Sequence, residues 1–188
     1  MNWFFAVARV AGSSFPVASS LVQLQAEIDS AATQARLRRL EDPWSAIHPD
    51  VREATGIIYD AVRRTGRLPV AFSDDFYERF ARVLALLEAR GCIRGTHTFQ
   101  KRFFTGIWLP DPYFFAYVCG LHEEAGTMDQ LIARIEDAPR GQWLNGVKIG
   151  SALGLPTPVV RAIFEIYANN GLGLLSKEVG TANYQVRA

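Results

Sequence analysis

Apolar residues recur with a helical period over most of this chain. Trp3, Phe4, Val7 and Val10 open the pattern, and Gly12 to Pro16 breaks it. Leu21, Leu24, Ile28, Ala31 and Ala35 then form one stripe opposite Gln, Glu, Asp, Thr and Arg. The stripe predicts an amphipathic helix from about Ser20 to Leu40, stopped by Asp42-Pro43. A third helix is predicted over Pro49 to Arg64, with Val51, Ala54, Ile57, Ile58, Ala61 and Val62 inward and Thr65-Gly66 at its end. Leu68 to Phe72 reads as a short strand. Asp75-x-x-Glu78 reads as a capping box for the next helix, whose buried side carries Phe76, Phe80, Val83, Leu84 and Leu87 and whose stop is Gly91.

Cys92 to Leu109 follows as a hairpin with a polar middle. Asp111-Pro112 starts a helix rich in aromatic residues that is predicted to end near Gly126. Thr127 is the candidate cap of another, striped by Met128, Leu131, Ile132 and Ile135. After a link through Trp143-Leu144 come a short helix, Gly146 to Leu153, the turn Gly154 to Pro158, and a longer helix, Val159 to Ala168. Asn169-Asn170-Gly171 stops that helix. Two β-prone runs, Leu172 to Glu178 and Asn183 to Val186, flank a turn containing Gly180.

From Thr127 to Arg187 this order of helix, short helix, tight turn, helix, glycine stop and hairpin resembles a winged helix-turn-helix. Leu153-Gly154-Leu155-Pro156 is similar to the turn in many bacterial members. The resemblance covers about a third of the chain and names an architecture, not a family. It implies a three-helix core in which Leu153, Ile163, Phe164 and Tyr167 are the large apolar groups. Val51 to Leu109 is similar in outline but lacks a separate second helix, which makes it a candidate degenerate copy.

Charge changes what that architecture is expected to do. The 188 residues carry a net charge of +1, which gives no general attraction for phosphate. Residues 111–188 hold six basic against eight acidic groups, the wrong sign for a DNA-binding module. In the third helix Arg161 is followed four residues later by Glu165, which partly cancels it. Residues 1–110 hold fourteen basic and eleven acidic groups, with Arg94, His97, Lys101 and Arg102 around the first hairpin. Val159, Val160, Ala162, Ile163, Phe164, Ile166 and Tyr167 spread round more of the third helix than one core face requires. Such a helix is buried on most sides, by its own chain or by a partner.

Other chemistry finds little support. Cys92, His97, Cys119 and His122 have a Cys-x4-His and Cys-x2-His spacing, but the paired Cys-x-x-Cys of many zinc sites is missing and Cys119 lies in an apolar run. No phosphate loop, nucleophile elbow or His-Glu-x-x-His occurs, and Asp74-Asp75 and Glu123-Glu124 read as helix-end charges. The N-terminal apolar run is too short for a membrane span, and Arg9 interrupts it where a signal peptide would have basic residues first and then an unbroken apolar stretch. Two cysteines fit a reducing cytoplasm.

The predicted fold class is mainly α with short β-hairpins (α+β). It comprises an N-terminal helical segment over 1–48, the candidate degenerate winged helix over 49–110, a linking helix over 111–126 and a winged helix over 127–188. The expected function is that of a non-enzymatic adaptor, docking a protein partner or itself through Trp3, Phe4, Val7, Leu21, Leu24, Ile28, Val159 and Ile166. The alternative is a DNA-binding regulator acting through Arg94, His97, Lys101, Arg102, Arg161 and Lys177. A third reading, shallow membrane insertion of the first helix, lacks a basic polar face. No cofactor, metal or small-molecule substrate is expected.

Overall fold

The apolar stripes become six helices and two small antiparallel sheets in a computed structural model, which describes residues 48–96, 105–122, 125–176 and 182–187. The arrangement is compatible with the α+β class. Helix α1 (Val51–Thr65) buries Val51, Ala54, Ile58, Ala61 and Val62, and the backbone N–H of Gly66 closes it on the Val62 carbonyl at 2.8 Å. Helix α2 (Asp74–Ala89) buries Phe76, Phe80, Val83, Leu84 and Leu87.

The capping box expected at Asp75 does not form. Helix α2 begins one residue earlier, with Ser73 in the extended N-cap position and no side-chain cap bond. Asp74 and Asp75 instead fill the first turn, where carboxylates favour the positive end of the helix dipole. At the other end Gly91 takes φ +73, a left-handed turn that lets the N–H of Cys92 reach the Leu87 carbonyl at 3.0 Å.

The strand expected over Leu68 to Phe72 shrinks to one bridge, in which Val70 exchanges backbone hydrogen bonds with Ile107 at 3.1 and 2.7 Å. Pro69 has no N–H to continue a ladder. The expected hairpin is present as β1 (Arg94–Thr96) and β2 (Gly106–Trp108), with Arg94 opposite Trp108.

Asp111 starts helix α3 (Pro112–His122) by accepting from the Tyr113 N–H at 3.0 Å. Phe114, Phe115, Ala116, Tyr117, Val118 and Cys119 are consecutive and all buried, so α3 has no solvent face at its centre. Helix α4 (Ala125–Glu136) begins earlier than Thr127 predicted, and Gly126 and Thr127 lie within its first turn.

Trp143-Leu144, read above as a link, belongs to strand β3 (Trp143–Asn145). The Asn145 side chain then caps α5 (Gly146–Leu153), accepting from the Lys148 N–H at 2.9 Å. Gly154 turns the chain at φ +70 into α6 (Thr157–Asn169). Strands β4 (Gly173–Leu175) and β5 (Asn183–Val186) complete a three-stranded sheet of order β3-β5-β4.

A single cluster of buried side chains runs from Val51 to Tyr184. Helix α3 touches α1 on one side and packs on α6 more extensively than any other two elements pack. The segment expected to link two modules therefore fills the space between them.

Candidate interaction surface

The third helix of the C-terminal unit, α6, was expected to offer Val159 and Ile166 to a partner. That expectation is corrected: both are fully buried in the chain's own core. The apolar residues that spread round this helix are covered by α3 on one side and by α5 and the sheet on others. No residue from Thr157 to Ala168 is exposed; Arg161 and Glu165 are half-buried. Its far end is tied down as well. The Tyr167 hydroxyl donates to Glu136 Oε1 at 3.1 Å, and Asn170 Nδ2 donates to the Tyr113 hydroxyl at 2.9 Å and to the Ile166 carbonyl at 2.7 Å.

The apolar surface lies on the sheet instead. Leu144, Tyr184 and Leu175 are in register across the three strands, and the first two are buried, with Tyr184 stacked on Phe164 at 5.1 Å between centroids. The neighbouring row is Trp143, Gln185 and Leu174, and alternation sends it to the opposite face. Trp143 is 55% exposed and Leu174 64%. Gln185 between them bends away to donate to the Gly141 carbonyl at 2.9 Å. Two rows further, where alternation returns to the same face, Arg187 bonds through its N–H to the carbonyl of Leu172, which is 42% exposed. Among the described residues, the charged groups within three positions of these strands are Arg140, Lys148 and Arg187, all basic.

Trp143 was missed because its strand was missed, whereas Leu172 and Leu174 lie in a run read as β-prone whose outward face was not assigned. The available signal was weak: Trp143 and Asn145 flank Leu144 in an alternating triplet beside a glycine.

Of the remaining interface candidates, Trp3, Phe4, Val7, Leu21, Leu24 and Ile28 lie outside the described residues, as do His97, Lys101, Arg102 and Lys177 of the nucleic-acid set. Arg94 is exposed on β1. Arg161 instead faces a cleft walled by Trp108, Pro110, Pro112 and Phe115, so the cleft, not an open helix face, surrounds it.

Both cysteines are buried. Burial first and the Asp111 carboxylate second, against an opposing Arg90, push the Cys92 thiol up to about 12. Burial also raises Asp111, against the N–H groups of Tyr113 and Phe114 that favour its charged form. His122, at the end of α3, lies against α1: its ring stacks on Tyr59 at 6.1 Å and its Nε2 is 3.4 Å from the Thr55 hydroxyl. No group of three or more His, Cys, Asp and Glu side chains that could hold a metal ion occurs among the described residues. A cysteine binds zinc as its thiolate, which the Cys92 site disfavours.

The folded chain holds the Cys92 proton more tightly than the unfolded chain, whose thiol titrates near 9.0. Its contribution to stability is thus complete below that pH and declines as pH rises from there toward 12. Accordingly, an aromatic disulfide reagent at pH 8 is expected to label neither cysteine until urea unfolds the chain. Fast labelling of Cys92 in the folded protein would contradict this burial.

Set against protein families, curated proteins and solved structures, the chain matches none. Among the described residues, no helix is long and apolar enough to cross a membrane.

Proposed function

We propose that this chain is a non-enzymatic, cytoplasmic adaptor that holds a protein partner against the outer face of its three-stranded sheet. In this reading residues 127–188 are a winged helix. The order α4, β3, α5, α6, β4, β5, with β5 between β3 and β4, supports it.

The observation that carries the docking role is the exposed row of Trp143 and Leu174 beside Leu172, since contiguous apolar surface on a folded protein marks contact sites. Trp143, on the outer strand β3, is of the residue type that anchors interfaces. Arg140, Lys148 and Arg187, exposed and within three positions of these strands in sequence, favour a partner whose apolar contact is rimmed by carboxylates. The DNA-binding alternative requires α6 to enter a major groove, and the burial of Thr157 to Ala168 by the chain's own elements weighs against it. Membrane action rests on residues 2–11 and has no support among the described ones.

The test is recovery of the tagged full chain from its native cells, beside a Trp143→Ala, Leu174→Ser double variant. The variant is expected to keep its stability within about 0.5 kcal/mol, because both positions are solvent-exposed. The wild type brings down a stoichiometric protein that the variant loses, and raising salt weakens the capture. A partner retained undiminished by the variant sinks this surface. Capture of duplex DNA in place of protein sinks the docking role.

A further inference from the structure

The cleft beside α6 supports a second inference, independent of the docking surface. Its volume is about 680 Å³, within the range of small-molecule sites. It lies where the two halves of the chain meet. Residues after α1 and the Trp108 to Pro112 segment make one wall, and the first turns of α6 make the other. Three kinds of group converge there. Trp108, 40% exposed, and Phe115 supply aromatic surface, with Pro110, Pro112 and Pro158 as rigid apolar neighbours. Arg67 and Arg161 line it from the two walls, so two basic residues stand at one cleft. Thr157 and Pro158 place the positive end of a 13-residue helix at the cleft.

We infer that this cleft binds a small aromatic carboxylic acid, its ring against Trp108 and its carboxylate between Arg67 and Arg161. Stacking on indole suits a flat ring, and a guanidinium presents a planar fork that matches a carboxylate. Arg94 reinforces the sign of the site. It sits directly opposite Trp108 in the β1–β2 ladder, so the two side chains share a face. Glu165 also lines the cleft and sets the limit on ligand charge. It disfavours a second acid group, so a monoanion fits better than a dianion. Thr157 adds a hydroxyl able to bond a polar substituent on the ring. This is a binding site with no reactive group attached: neither cysteine lines it, and no histidine does.

Calorimetric titration of the full chain with 1-naphthoate, and with neutral 1-naphthamide as its isostere, tests the inference. Saturable binding of the carboxylate is expected, at least about tenfold tighter than the amide, since the guanidinium contacts are charge-assisted only for the anion. Arg161→Gln and Arg67→Gln are each expected to erase that preference, and Trp108→Ala to weaken both ligands. Trp143→Ala, on the sheet, leaves binding unchanged. If Arg161→Gln fails to fold, Arg67→Gln on the exposed rim carries the comparison alone. No saturable binding, equal affinity for acid and amide, or full binding by Arg67→Gln would each overturn the inference.

Discussion

Replacing Phe114 with alanine is expected to destabilise the chain by about 3–5 kcal/mol, the range for truncating a fully buried phenylalanine. The more informative result is where that loss appears. Helix α3, which carries Phe114, touches both α1 and α6, and the buried cluster is continuous from one half to the other. A cavity there removes contacts common to both halves. Fluorine resonances of labelled Trp108, on β2, and Trp143, on β3, report the two halves separately. Both are expected to follow one urea transition in the wild type, and both midpoints fall together in Phe114→Ala. Two separate transitions, with only one moved by the substitution, would show two modules that fold apart.

Gly150→Ala is expected to destabilise by about 1–3 kcal/mol, although alanine is the better helix former. A β-carbon at Gly150 would stand 2.6 Å from the Leu155 carbonyl oxygen and 3.4 Å from Val160 Cγ2. The first of these is backbone held by the turn itself, since the same Gly150 carbonyl accepts from the N–H of Leu155 at 2.9 Å. The paired control is Gly126→Ala in the first turn of α4, where the nearest atom is Gln130 Nε2 at 4.0 Å. That change is expected to stabilise by about 0.4–1 kcal/mol through the unfolded chain. Thermal melts of the two variants should therefore move in opposite directions. A Gly150→Ala protein at least as stable as wild type would mean that the turn at Leu155 does not approach α5 this closely.

The parts of the fold legible in the sequence are those fixed by neighbouring residues. Helix α5 and strand β5 have the bounds read from the chain, Gly146 to Leu153 and Asn183 to Val186, because glycines and alternation mark their ends locally. Strand β3 escaped notice because three residues do not make a strand by themselves. Its pairing partner, β5, lies about forty positions away. Pro69 was visible in the sequence, and its missing N–H was enough to demote the predicted strand before any contact was known. Helix α6 illustrates a different limit. Its surplus of apolar positions correctly signals burial on most sides, but periodicity carries no information about which chain does the burying. The cover proved to be the chain's own α3, α5 and sheet. For the same reason the candidate surface moved from Val159 and Ile166 to Trp143 and Leu174, whose exposure follows from register across the sheet.

The place of α3 also sets an order of events at the ribosome. The chain emerges N-terminus first, so α1 and α2 are available when the run from Phe114 to Cys119 appears, but α6 is not. One side of that helix stays uncovered until some fifty further residues have been made, at least a few seconds at ordinary rates of synthesis. During that interval a nascent chain shows water its most apolar helix. Its yield in a cell should therefore depend on how fast residues 123–170 are translated, and slow codons in that stretch should cost more folded protein than slow codons after it.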